Sequence, residues 1–130
     1  FGIIKQLMVK MDNVIDLDKA EFFGASNMLS VIYYTVGNKL YGYDFARKKC
    51  ELLKTFDGYE ITSFLSDILV QTSRDYFYIA LYDPSKPAST GGTIMKYEVV
   101  DDVDHTIIKE EKGSEWKNLC KVKSMAFKTR

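Results

Sequence analysis

Apolar and polar residues alternate in short runs along most of the chain, and turn-forming residues separate these runs. The clearest case is the pair of runs 30–36 and 39–45, which are rich in Val, Ile, Leu and Tyr. Gly37 and Asn38 stand between them, and both tolerate the positive φ angles that a two-residue hairpin turn needs. Strand-forming residues on either side of such a turn predict an antiparallel β-hairpin.

The same pattern of short runs predicts strands along the rest of the chain. The run 76–82 is apolar on both faces, which is typical of a strand inside a sheet. Residues 83–92 contain both prolines and are rich in Ser, Thr and Gly, so they are predicted as a loop. Residues 101–104 are predicted as an acidic turn, and 113–118 as a polar loop. Residues 11–19 are predicted as a connection, with a short helical turn as the alternative. The other predicted strands cover residues 20–27, 50–56, 61–65, 93–100, 105–111 and 122–128. Residues 1–10 are also predicted as a strand, with a helix as the alternative.

An internal repeat orders these strands. Residues 37–44 (Gly-Asn-Lys-Leu-Tyr-Gly-Tyr-Asp) match 91–98 (Gly-Gly-Thr-Ile-Met-Lys-Tyr-Glu) at a constant offset of 54 residues. The strand before them matches at an offset of 46, from 31–34 to 77–80, and the strand after them at an offset of 55. The sequence therefore predicts two four-stranded antiparallel meanders, in units 20–58 and 59–113, with 122–128 as a closing strand or the first strand of a next unit.

Four-stranded meanders that repeat at this spacing are typical of propeller blades. The predicted fold is all-β, with about two propeller-like blades. A closed ring needs about four to eight blades, so residues 1–130 are expected to form a single β domain or a fragment of a larger propeller. A sandwich or a closed meander is the alternative. The open edges of such blades favour self-association.

Charge and cysteine content narrow the classes of partner. Lys and Arg number 18, as do Asp and Glu, and this balance argues against general attraction to nucleic acid or to an anionic membrane. The sequence lacks an apolar run of about 18 residues, so no transmembrane segment is expected in this chain. Cys50 and Cys120 form no CxxC pair, which argues against a cysteine-based zinc site and leaves one disulfide or two free thiols open.

The repeated motifs carry a family resemblance. Residues 37–44 and 91–98, followed by Trp116 and the run 121–125 (Lys-Val-Lys-Ser-Met), resemble the C-terminal repeats of PKD-like family lipoproteins from gut Bacteroidetes. The resemblance covers residues 30–128. It implies propeller-like repeats in a cell-envelope lipoprotein, at the outer-membrane surface or in the periplasm, often associated with glycan or peptide uptake. The lipid anchor would lie upstream of this chain, and the resemblance carries over no catalytic residue.

Motifs for catalysis are missing from the sequence. His105 is the single histidine, and no Gly-x-Ser-x-Gly elbow accompanies it, so a nucleophilic triad is not predicted. Asp101, Asp102 and Asp104 are hard oxygen ligands, but a solvated acidic turn explains them as well. We therefore expect a non-enzymatic protein without a metal or other cofactor.

Ligand binding is expected at two places. The loop 83–92 is longer than a tight turn, and long loops often carry function. Trp116 offers a flat aromatic face of the kind that is enriched in binding sites. The candidate ligand-binding residues are Trp116, Tyr82, Pro84 and Lys86, with a glycan or a peptide as the ligand and outer-membrane uptake proteins as partners. The alternatives are a purely structural protein-interaction repeat, or part of an envelope glycan hydrolase.

Overall fold

The computed structural model describes residues 15–25, 31–66, 75–102 and 105–126. In these ranges the chain forms two four-stranded antiparallel sheets, each in simple meander order, and one 3-10 helix at Leu17–Lys19. The two predicted meanders are therefore confirmed, and neither sheet closes on itself within the described ranges. Sheet 1 contains β1 (Phe23–Ala25), β2 (Val31–Val36), β3 (Lys39–Asp44) and β4 (Lys49–Thr55); sheet 2 contains β5 (Glu60–Ser66), β6 (Asp75–Tyr82), β7 (Gly92–Asp102) and β8 (His105–Leu119).

The hairpin of β2 and β3 forms as its turn residues predict. Val36 pairs with Lys39, and Gly37 has a φ of 58° in the turn between them. Asn38 fixes the end of β4 to this turn, because its side chain donates to the Phe56 carbonyl (3.2 Å) and its own carbonyl accepts the Phe56 amide (2.9 Å). The turn therefore positions the connection that leads to sheet 2.

The two sheets pack face to face around aromatic side chains, with β1 against β5 and β4 against β8. Phe77 on β6 is at the centre, with ring centroids 5.2 Å from Phe64, 5.4 Å from Tyr97 and 6.0 Å from Tyr33. β6 lies between β5 and β7, which confirms the prediction of an interior strand. The buried core between the sheets consists of Val31, Tyr33, Leu40, Phe56, Ile61, Phe64, Phe77, Ile79, Leu81 and Tyr97.

The opposite face of sheet 1 is buried around three tyrosines, Tyr34, Tyr41 and Tyr43, with Leu17 of the 3-10 helix. Within the predicted connection, residues 17–19 thus adopt the alternative, a short helical turn. The Tyr34 hydroxyl donates to the Ile15 carbonyl (2.5 Å) and lies 3.0 Å from the Cys50 sulfur. Burial, together with this thiol contact, raises the pKa of the Tyr34 phenol above its ordinary value. Cys50 and Cys120 are both free thiols.

The strand register corrects the internal repeat by one residue. Tyr33 pairs with Gly42, and Tyr78 pairs with Lys96, which the offset of 54 matches to Gly42. The ladders therefore match Tyr33 to Tyr78 at an offset of 45, and the offset of 46 is wrong. Because both segments are apolar on both faces, their pattern does not reveal the error. A one-residue slip turns every side chain to the other face of the sheet, so the correction changes which faces are equivalent.

The end of the chain also differs from the predictions. Residues 113–118 belong to β8 rather than to a loop. Extra residues of β8 form bulges between Glu110 and Glu115 and between Trp116 and Leu119, and pairing with β7 continues beyond each bulge as far as Leu119. Asp101 and Asp102 lie in β7 rather than in a turn, and they pair with Thr106 and His105 of β8. Residues 122–126 form no strand, since no described strand pairs with them. The predictions for residues 1–14, 26–27, 30, 103–104 and 127–128 lie outside the described residues.

Candidate functional site

The loop 83–91 between β6 and β7 is held by its own hydrogen bonds. The Asp83 amide donates to the Gly91 carbonyl (2.9 Å), which closes the base of the loop. The Asp83 carboxylate accepts the Ser85 hydroxyl (2.6 Å) and the Ser85 amide (2.9 Å), and these bonds lower the pKa of the Asp83 carboxyl. The Tyr82 hydroxyl donates to the Lys86 carbonyl (2.5 Å). The loop therefore presents a preformed surface.

Residues 120–123 follow β8 and attach to this loop through Lys121. Its amide donates to the Ala88 carbonyl (2.7 Å), and its ammonium group lies 4.7 Å from the Tyr82 ring centroid and 3.9 Å from the Glu60 carboxylate. Gly92 allows this close approach, since a Cβ there would overlap the Cys120 carbonyl. Three separate parts of the chain thus meet at Lys121.

Together these parts form an open groove of about 570 Å³, which we call the end groove. Its apolar surface comes from Phe22, Ile61 and Val122, and its charged groups belong to two acids and two lysines. The Phe22 backbone is fixed to β2, because its amide donates to the Thr35 hydroxyl (3.2 Å) and its carbonyl accepts the Thr35 amide (3.0 Å). The lining residues are Glu21, Phe22, Glu60, Ile61, Thr62, Ala88, Cys120, Lys121, Val122 and Lys123.

The predicted ligand-binding residues fall into two groups. Tyr82, at the end of β6, contacts Lys86 of the loop 83–91, which supports the end groove, and Pro84 is exposed in the same loop. None of the three lines the groove itself, which the loop reaches through Ala88. Trp116 lies on β8 and belongs to a different surface. The charged residues of the groove were not predicted, because they come from three distant segments without a shared local motif.

Trp116 stands on the face of sheet 2 that points away from sheet 1. It is 48% exposed, and its ring centroid lies 6.4 Å from that of Tyr78. Leu65 pairs with Tyr78, and Ile94 pairs with Trp116, so these four side chains share one face, which we call the outer face of sheet 2. An open groove of about 680 Å³ lies on it, and Ser124, Met125 and Ala126 line its other side.

Within the described ranges, no three His, Cys, Asp or Glu side chains lie together as metal ligands do. The described part of the chain contains no helix that could span a membrane.

Comparison with known proteins gives no identification: no family model matches the chain, and no curated protein or solved structure is significantly similar to it.

Proposed function

We propose that the chain is a non-enzymatic recognition module in which two propeller-like blades hold a ligand in the end groove. Support for the blades comes from the equal strand order of the two sheets and from their stacking, in which β1 faces β5 and β4 faces β8. Sheets of four strands stacked in this way are the building units of propellers. The blades supply a rigid frame, and the loop 83–91 supplies part of the binding surface.

The composition of the end groove carries this proposal. It combines apolar side chains with charges of both signs, from Glu21 and Glu60 and from Lys121 and Lys123. Glu60 and Lys121 form an ion pair with each other, whereas no ion pair of Glu21 or Lys123 is formed among the described residues. A zwitterionic peptide, with an ammonium group for Glu21 and a carboxylate for Lys123, complements these two charges.

A short peptide fits this groove better than a neutral glycan. Sugars stack on flat aromatic faces, and Phe22, the one aromatic residue among the described residues that line the groove, is partly buried. The volume of about 570 Å³ lies in the range of small-molecule sites. We therefore propose a peptide of two or three residues as the ligand.

The cellular setting of the proposal rests on the family resemblance. On that resemblance we propose that the module belongs to a lipoprotein of the cell envelope, at the outer-membrane surface or in the periplasm, with outer-membrane uptake proteins as partners. A peptide-binding module suits such an uptake assembly.

A glycan hydrolase is the second candidate, since Glu21 and Glu60 line one groove and glycoside hydrolysis uses two carboxyl groups. Both acids are exposed, however, and Glu60 is already paired with Lys121. The general acid of a glycosidase lies in a hydrophobic pocket, and neither acid of this groove is buried, so we favour binding over hydrolysis.

Calorimetric titration tests the binding proposal with three probes: the tripeptide Ala-Leu-Ala, the same peptide acetylated and amidated at its ends, and a neutral trisaccharide. We expect saturable binding of the free peptide alone. Lys123→Gln is expected to raise Kd about two- to fivefold, the effect of an exposed ion pair worth about 0.5–1 kcal/mol.

Lys48→Gln is the matched control, because it neutralises an exposed lysine in the turn between β3 and β4, away from the groove. Equal binding of the capped peptide, or an equal effect of the two lysine variants, contradicts the proposed role of the charges. Binding of the trisaccharide alone shows that the ligand class is wrong.

A further inference from the structure

The face of sheet 1 that contacts sheet 2 has a counterpart elsewhere in the molecule. One row across this face contains Gly24, Tyr33 and Gly42, and the ladders match it to Leu65, Tyr78 and Lys96 of sheet 2.

A second row contains Thr35, Leu40 and Lys54, and it matches Ala80, Ile94 and Trp116. Both matched rows lie on the face of sheet 2 that points away from sheet 1. The molecule therefore presents its inter-sheet contact surface twice.

The first copy of this surface is covered and the second is open. Tyr33 is 1% exposed and Leu40 is fully buried, because sheet 2 lies on them. On the outer face of sheet 2, Tyr78 and Ile94 are only partly buried, Trp116 is 48% exposed, and the groove of about 680 Å³ lies above them. Lys54 is the residue of sheet 1 that matches Trp116, and on this covered face its ammonium group lies 4.8 Å from the Tyr97 ring centroid of sheet 2.

The chain itself turns towards this open face. In sheet 1, β4 ends at Thr55, and the next segment leads into β5, the first strand of the sheet that covers Tyr33 and Leu40. After β8 ends at Leu119, the chain runs on in the same way, and Ser124, Met125 and Ala126 line the groove on the outer face. This segment occupies the position of a first covering strand.

We propose that the outer face of sheet 2 binds a third four-stranded antiparallel sheet of the same polypeptide, whose first strand begins in residues 122–126. This inference rests on the proposed blade arrangement and adds a third sheet to it, next to sheet 2. Trp116 and Tyr78 are then docking residues between sheets and not ligand-binding residues. Consistent with this role, the groove is lined mainly by apolar side chains, whereas ligand sites also carry placed polar groups.

Lys96 takes the position in sheet 2 that Gly42 has in sheet 1. Its ammonium group lies 4.2 Å from the Tyr76 ring centroid and 5.8 Å from that of Tyr78. Aromatic rings of its own sheet thus already contact this charge. The third sheet is therefore expected to carry aromatic and aliphatic residues, as the face of sheet 2 that covers sheet 1 does.

The test extends the full 130-residue chain, after Arg130, by a second copy of residues 67–119. The copy supplies three strands, and residues 122–128 are left to supply the first. Phe replaces the tryptophan of the copy, so Trp116 is the single fluorescent reporter. We expect a blue-shifted emission and a several-fold lower acrylamide quenching constant than in the unextended chain.

Ile94→Lys in the extended protein is expected to restore the quenching of the unextended chain, whereas Leu52→Lys, at an apolar residue exposed on β4, leaves Trp116 shielded. Circular dichroism of the unextended chain with each substitution shows that sheets 1 and 2 still form. Peptide titration of the unextended chain reports the end groove, and Trp116 quenching in the extended protein reports the outer face of sheet 2, so the two proposals can fail independently.

Three results overturn the inference. Trp116 remains as exposed in the extended protein as before, or the added strands stay unstructured although the matched face of sheet 1 supports a sheet. In the third, acrylamide quenching of Trp116 in the unextended chain falls as protein concentration rises, and sedimentation shows association over the same concentrations. A second copy of the chain is then the occupant.

Discussion

Phe77→Ala is the sharpest test of the shared core between the two sheets. Phe77 is fully buried, and three rings from both sheets lie within 6.0 Å of it by centroid distance. Loss of a fully buried Phe side chain costs about 3–5 kcal/mol. Aromatic contacts add about 0.5–1.5 kcal/mol each, so we expect a loss near the upper limit, about 4–5 kcal/mol. Phe77→Leu keeps most of the apolar volume and is expected to cost about 1–1.5 kcal/mol.

Urea-induced unfolding measures these losses, followed by circular dichroism and, in the same samples, by Trp116 fluorescence. Leu52→Ala is the control: its side chain is 49% exposed, so the free energy of unfolding should change by less than about 0.5 kcal/mol. A loss for Phe77→Ala no larger than that of the control refutes the common core. Two separate transitions in the unsubstituted chain would also refute it, since sheets that share a core unfold together.

Two further predictions concern backbone space and ionisation. Gly92→Ala places a Cβ against the Cys120 carbonyl and is expected to cost about 1–3 kcal/mol and to speed hydrogen exchange of the Lys121 amide; unchanged exchange in a folded chain contradicts it. Because burial raises the pKa of Tyr34, its phenol loses a proton in the unfolded chain first, near the ordinary value of about 10. Its contribution to stability is therefore complete below pH 10 or so and falls as pH rises further, and Tyr34→Phe should flatten the decline measured by unfolding between about pH 9 and 11.

The strand order could be predicted from the sequence because its signals are local. Gly37-Asn38 marks a hairpin turn, and the apolar run 76–82 marks an interior strand, whatever surrounds them. The offset that matches β2 to β6 could not be predicted from such local signals. It depends on which residue of β2 pairs with Gly42, and a segment that is apolar on both faces gives no periodic signal to choose between neighbours.

The candidate sites were predicted only in part. Trp116 is a candidate binding residue because it is a tryptophan. Its place in β8 could not be predicted, because its neighbours in sequence are polar, as those of an edge strand that faces solvent can be. The end groove depends on Glu21, Glu60 and Lys123, which are brought together by the stacking of two sheets and by the anchoring of the last segment at Ala88. Side chains so far apart in sequence are joined by tertiary structure alone.

The meander order has a consequence for synthesis of the protein on the ribosome. Each strand pairs only with its neighbours in sequence, so the ladder of sheet 1 is complete once Thr55 has been made. The partners that cover Tyr33 and Leu40 extend as far as Tyr97, and at about 5–20 residues per second their synthesis takes about 2–8 s. During those seconds the nascent chain carries a finished sheet with a bare aromatic face, which makes this interval its period of greatest exposure to aggregation and to chaperones.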